Sequence, residues 1–159
     1  WHKCDTLFWN TIYRRVSESF YYWVGINLNK ESLKSILKNI SSIALIGAST
    51  NPERDSYKVM KFLIDNDYEV FPVNPNHADD KILGKKCFSN LKEINQKIDM
   101  VDIFRSKEFV MEITQDAIKK GVEVIWTQEG IVDEKSSRLA KDSDIIFVMN
   151  ECPKKVLEN

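Results

Sequence analysis

Only three cysteines and two histidines occur among 159 residues, no side of the charge balance dominates, and no long apolar run is present. Each shortage excludes something. Cys4, Cys87 and Cys152 lie far apart, and an odd number cannot close a complete disulfide framework, which points to a reducing compartment. Together with His2 and His77 they show none of the paired ligand intervals of zinc sites, so no structural metal is expected. Neither histidine has an evident triad partner, and Cys87 is distant from both. Binding is therefore expected rather than turnover. A formal net charge of -1 supplies no global field toward nucleic acid or an anionic membrane. Arg14 and Arg15 break up the one strongly apolar and aromatic region, so no segment is long enough to cross a bilayer. These features predict a soluble, cytoplasmic protein with neither nucleic acid nor membrane as partner.

What is there is the balance of one globular domain: 43% hydrophobic and 30% charged residues. Composition shifts early. The first 23 residues hold eight of the seventeen aromatics, including Trp1, Trp9 and Trp23, and residues 1–40 carry six Lys/Arg against three Asp/Glu. This divides the chain into an atypical extension, 1–28, and a domain, 29–159. Basic residues and serines in the extension fit an organelle-targeting remnant, which would place the protein in an organelle lumen; Asp5, Glu18 and the aromatic load fit it poorly. Other readings are a segment from a wrongly assigned exon, or an aromatic face that packs on the domain or on a second copy.

From residue 29 onward, apolar runs and helical periodicity alternate. Asn29 is placed to cap a helix carrying Leu33, Ile36, Leu37 and Ile40 on one face. Ile43 to Ile46 reads as a buried strand ended by Gly47, and a helix follows with Tyr57, Met60 and Ile64, Asp55 being its expected cap. Tyr68 to Val73 is the second strand, and Pro75 opposes helical continuation from Asn74. A loop containing Gly84 leads to a strand at Val101 to Phe104. Val110, Ile113 and Ala117 mark a helix that Gly121 stops, then come a strand at Val122 to Trp126, a weaker helix around Glu134 to Ala140, and a last strand at Ile145 to Met149. Such alternation predicts an α/β fold: a single doubly wound, mostly parallel sheet of about five strands, preceded by a short helix. Ligands of such sheets sit beyond the carboxyl ends of the strands.

The turn Gly47-Ala48-Ser49-Thr50-Asn51-Pro52-Glu53-Arg54-Asp55-Ser56 joins a strand to a helix and suits phosphate. Gly47 and Ala48 permit close backbone approach, Ser49, Thr50 and Ser56 add hydroxyls, and Arg54 offers a fork of donors. A plain polar turn that caps a helix is the alternative. An ordinary NAD site is disfavoured. Ala48, Ser49 and Pro52 stand where the dinucleotide fingerprint needs further glycines, and Val73-Asn74-Pro75 stands where an acidic side chain would hold the adenosine ribose.

Six segments in order resemble the small coenzyme A-binding proteins related to the nucleotide-binding domain of the succinyl-CoA synthetase alpha chain. They are Ile43-Ala44-Leu45-Ile46-Gly47-Ala48-Ser49, Pro52-Glu53-Arg54-Asp55-Ser56-Tyr57, Val73-Asn74-Pro75, Asp99-Met100-Val101-Asp102-Ile103-Phe104-Arg105, Trp126-Thr127-Gln128-Glu129-Gly130 and Cys152-Pro153. The resemblance spans roughly residues 30–153. It implies a Rossmann-like domain with coenzyme A, free or acylated, as ligand. Gly47, Ala48, Ser49, Arg54 and Ser56 would hold the phosphates, Val73, Asn74 and Pro75 would border the nucleotide, and Phe104 and Arg105 would project into the crevice. Gln128 would meet the pantetheine amides where Gly130 lets the backbone pass close. Cys152 lies where the thiol end could arrive for disulfide exchange, although Glu151 stands where the family more often has a basic residue.

The blander readings stay open beside these: Phe104 as core, Arg105 in solvent or paired with Glu108, Trp126 as packing material, and Cys152 as a semi-buried thiol beside a turn-forming proline. The synthetase's second domain, with its phosphorylated histidine, is not expected here, so the chain should not make succinyl-CoA by itself. Alternatives to a coenzyme A binder are an NAD(P)-dependent oxidoreductase with a non-standard phosphate turn, or an interaction module with a vestigial nucleotide site. A homodimer or a partner enzyme fits any of the three.

Overall fold

The computed structural model describes residues 29–159, and expectations for residues 1–28, with His2 and Cys4, lie outside the described residues. Helix α1 (Lys30–Lys38) starts where Asn29 Oδ1 accepts the Ser32 N–H at 2.8 Å, as its capping role requires, and buries Leu33, Ile36 and Leu37. Then follow β1 (Ser42–Ile46), α2 (Asp55–Asp65) and β2 (Glu69–Val73). After a short 3₁₀ turn at Pro75–His77 comes a small antiparallel pair, β3 (Lys81–Ile82) and β4 (Lys85–Lys86). The chain continues through β5 (Met100–Ile103), α3 (Val110–Lys120), β6 (Val124–Thr127), α4 (Glu134–Asp142), β7 (Ile146–Val148) and α5 (Pro153–Glu158).

Five strands form one wholly parallel sheet in the order β2-β1-β5-β6-β7. Both faces are covered, which is why the strands read as apolar runs rather than as alternations. Leu45, Met100, Trp126 and Val148 pack in one core with residues of α1, α2 and α5, whereas Ala44, Val101, Ile103 and Ile125 pack in the other with residues of α3 and α4. Because β1 lies between β2 and β5, the chain leaves β1 in one direction and later returns on its other side. A crevice opens at that reversal.

Three elements differ from the sequence expectation. Asp55 is the first residue of α2 and not its cap; Arg54 occupies the cap position and makes no capping hydrogen bond. The loop around Gly84 contains the β3–β4 hairpin, whose Leu83 and Gly84 have φ of +50° and +77°, the left-handed pair of a tight hairpin turn. Two-residue strands are too short to show alternation. Cys152-Pro153 begins a helix, α5, with proline in its first turn, where a missing N–H costs nothing.

At the far end of the sheet, one carboxylate ties β1 to β5. Asp99 Oδ2 accepts the Ser41 N–H (2.9 Å), the Ser42 N–H (3.2 Å) and the Ser41 hydroxyl (3.1 Å). Burial alone pushes this carboxyl up, but those three donors and nearby Lys97 outweigh it and hold it below the ordinary value. Its contribution is present above the ordinary carboxylate range and fades as pH falls through the depressed native value. Asp99→Ala strands two backbone donors, and a loss of about 2 kcal/mol in denaturant unfolding at neutral pH is expected, shrinking toward pH 3.

Candidate functional site

A cup of about 400 Å³ lies at the carboxyl ends of β1 and β5, lined by Gly47, Ala48, Ser49, Arg54, Asp55, Ser56, Asn74, His77 and Phe104. Its base is backbone packed tightly on backbone. Gly47 and Ala48 N–H both donate to the Val73 carbonyl (2.8 and 3.3 Å), and Phe104 N–H donates to the Ile46 carbonyl (2.7 Å). Gly47 sits between these strand ends at φ +91°. Asn74 fastens the rim: its Nδ2 donates to the Ala48 carbonyl (2.8 Å), and its Oδ1 accepts the Asn76 N–H (2.9 Å). The Gly47 and Ala48 donors are thus already spent. The donors left for an anion are the N–H groups opening α2, which no side chain caps. Ser56, buried in that first turn, adds a hydroxyl.

Positive charge comes from the start of α2, Arg54 at the cup and Lys58 in the compartment beside it. Arg54 and Lys58 stand four residues apart on one helical face, and neither forms an ion pair among the described residues. Asp55 sets one carboxylate between them. His77 reaches the rim, its Nδ1 3.4 Å from Asp80 Oδ2. From sequence, His77 is considered only as a base or zinc ligand, and Lys58 is not singled out. The interval from Arg54 to Lys58 was the available signal for the lysine; nothing local marked His77, which the 3₁₀ turn carries back over the cup.

A second compartment, about 310 Å³, adjoins the cup and shares Asp55 and Phe104 with it. It lies between α2 and α5, with Gln128, Glu129 and Cys152 at its wall. The loop after β6 is pinned from both sides: Gly130 N–H donates to Asn150 Oδ1 (2.7 Å), and the Thr127 hydroxyl donates to the Ile131 carbonyl (2.8 Å). Trp126 is fully buried beneath, its indole N–H donating to the Glu151 carbonyl at 2.9 Å, so it is packing material.

The residues singled out from sequence do not all converge. Gly47, Ala48, Ser49, Arg54, Ser56, Asn74 and Phe104 line the cup, and Gln128 and Cys152 line the second compartment with Phe104 between. Val73, Pro75, Arg105 and Gly130 line neither. Val73 is buried and serves through its carbonyl. Arg105 stacks on the Phe109 ring, 4.0 Å from its centroid, rather than pairing with Glu108. Cys152 caps α5 and is half buried; burial pushes its thiol up, Asp102 and Glu129 add to that, and the Lys155 and Lys154 backbone N–H groups act against it. The ammonium groups of Lys154 and Lys155 are engaged by Glu158 (3.7 Å) and Glu129 (2.7 Å). The thiol form therefore dominates at neutral pH.

A larger groove, about 550 Å³, lies at the opposite end of the sheet between Ile118, Gly121, Val122, Glu123, Ser143, Asp144 and Ile145. Its charged lining is acidic, which repels a polyphosphate. Among the described residues no group of three His, Cys, Asp or Glu is placed to hold a metal, and no helix is long and apolar enough to cross a membrane.

The family pattern described as a CoA binding domain matches residues 41–158. A protein of Bacillus subtilis, YneT, described as uncharacterized, is 36% identical over 128 residues, covering 80% of this chain and 93% of its own. A solved structure of a hypothetical protein from Pyrococcus horikoshii superposes with a TM-score of 0.78 at 39% identity, covering 83% of this chain and 92% of that one. The alpha subunit of an ADP-forming acetate–CoA ligase I from Pyrococcus furiosus is 36% identical over 93 residues; the match takes in 56% of this chain but only 20% of the subunit.

Proposed function

This chain belongs to the CoA binding domain family, and from that premise we propose that it binds coenzyme A or an acyl-CoA across the carboxyl ends of its strands, without chemistry of its own. The observation that carries the reading is the cup at the β1–β5 reversal, where uncapped α2 and Arg54, without an ion pair among the described residues, face one space, with Lys58 in the adjoining compartment. A helix start with free N–H groups and a guanidinium beside it suits a diphosphate. Ala48, Ser49, Ser56 and Asn74 shape that space, and the ribose and adenine would lie along Val73-Asn74-Pro75 and Phe104, with Arg105 at the margin. The pantetheine arm then runs past Phe104 into the compartment of Gln128, below Gly130, and its thiol ends near Cys152. Both compartments fall in the range of small-molecule sites. A second copy of the chain or a partner enzyme completes the reading; the match to a ligase alpha subunit supports it.

Calorimetric titration of the whole chain with coenzyme A, acetyl-CoA, NAD and NADP under reducing conditions tests this. Binding of the first two is expected, and tight binding of NAD alone would overturn it. Arg54→Ala should weaken coenzyme A at least about tenfold through loss of a charge-assisted phosphate contact. An unchanged affinity would remove Arg54 from the site.

A further inference from the structure

Beneath the second compartment lies a carboxyl group for which the fold itself has no use. Asp102 occupies the middle of β5, in register with Leu45 on one side and Trp126 on the other, and is fully buried. A leucine or an asparagine there would cost less, since a buried carboxyl must be satisfied or neutral. Asp102 is only half satisfied. Its Oδ1 accepts a close hydrogen bond from Gln128 Nε2, and its Oδ2 has no partner. Burial raises the group to about 8 against the opposing pull of Gln128, so it carries a proton at neutral pH and Oδ1 acts as a carbonyl-type acceptor.

The consequence falls on Gln128. Its amide nitrogen is committed to Asp102, while its Oε1 has no partner among the described residues and the side chain lines the compartment between α2 and α5. A primary amide held through one N–H keeps its second N–H, but it is fixed with its carbonyl as the acceptor on the side away from the acid. We infer that Asp102 is a positioning residue that fixes Gln128 with its carbonyl toward this compartment, so that the compartment selects a ligand arm bearing a secondary amide N–H, the chemistry of pantetheine. This rests on the coenzyme A reading and sharpens it by naming which polarity the arm must offer.

The test compares two probes on the whole chain by calorimetry: coenzyme A, and adenosine 3′,5′-bisphosphate, which lacks the arm. Gln128→Leu and Asp102→Leu should each weaken coenzyme A about five- to tenfold and leave the bisphosphate unchanged, because only the arm meets Gln128. Asp102→Asn keeps a neutral acceptor and should restore coenzyme A affinity to within about twofold. In the double variant, Gln128→Leu should cost nothing further once Asp102 is leucine. Equal losses for both probes, additive losses in the double variant, or no loss with Gln128→Leu would each overturn the inference while leaving coenzyme A binding standing. Wild-type protein that binds neither probe would overturn both. Should Asp102→Leu fail to fold, half-exposed Gln128→Leu together with the Asp102→Asn rescue decides the matter.

Discussion

Gly47→Ala is expected to cost at least about 3 kcal/mol and to lower the melting temperature by roughly 10 °C, the largest loss of any glycine-to-alanine change among the described residues. Two effects combine. At φ +91° an L-residue is strained whatever the space around it. A Cβ built there would also stand 2.3 Å from the Phe104 carbonyl oxygen and 2.9 Å from its carbon, and both atoms are backbone that cannot swing aside. The ends of β1, β2 and β5 are fastened at this point by the Gly47 and Phe104 N–H bonds, so relief requires parting the strands that form the base of the cup. Gly84→Ala is the control. Gly84 has φ +77° with nothing within 4 Å of an added Cβ, so it should lose only the conformational part, about 1 to 2 kcal/mol. Equal melting shifts for the two variants would show that the contact with Phe104 is not limiting.

Asp102→Asn should stabilise the protein, and the gain should grow with pH. The native Asp102 carboxyl is raised to about 8, whereas in the unfolded chain it titrates near the ordinary 3.8. Between those values the unfolded chain has lost the proton that the native state still holds, so stability falls as pH rises, by roughly 1 kcal/mol or somewhat more per pH unit, and levels off above about 8. The groups facing Asp102 are Gln128 from the loop after β6, which favours the ionised form, and the Cys152 thiol at the start of α5. Leu45 and Trp126 flank it on the adjoining strands. Asparagine removes this dependence, and other titrating groups cancel in the difference. Denaturant unfolding of both proteins should show the Asp102→Asn advantage widening by about 3 kcal/mol from pH 5 to pH 7.5. A constant difference, or a loss that deepens with pH, would mean that Asp102 is ionised in the native state.

Much of the cup was legible in the chain because its parts are local. Gly47, Ser49, Arg54 and Ser56 occupy one turn, and Asn74 and Phe104 follow directly on apolar runs, so strand ends in a parallel sheet must bring them together. His77 was not legible, since a polar loop residue says nothing about where its loop folds. Lys58 was half legible, through its spacing from Arg54. Asp102 illustrates the limit best. Its place in an apolar run marked a strand, yet only the register of β5 between β1 and β6 shows that it faces the α2–α5 core without a charged partner.

The order of apolar runs, helical faces and turns by itself determined a parallel α/β sheet and the end of it where a ligand would sit, because burial on both faces and right-handed crossovers leave few other arrangements. The tertiary structure alone decided that the β1–β5 reversal forms the cup and that α5 walls a second compartment. It alone commits Gly47 and Ala48 N–H to Val73, and Gln128 to a buried acid. Those outcomes depend on which strands become neighbours and in what register, and long-range pairing of that kind has no local periodicity from which to read it.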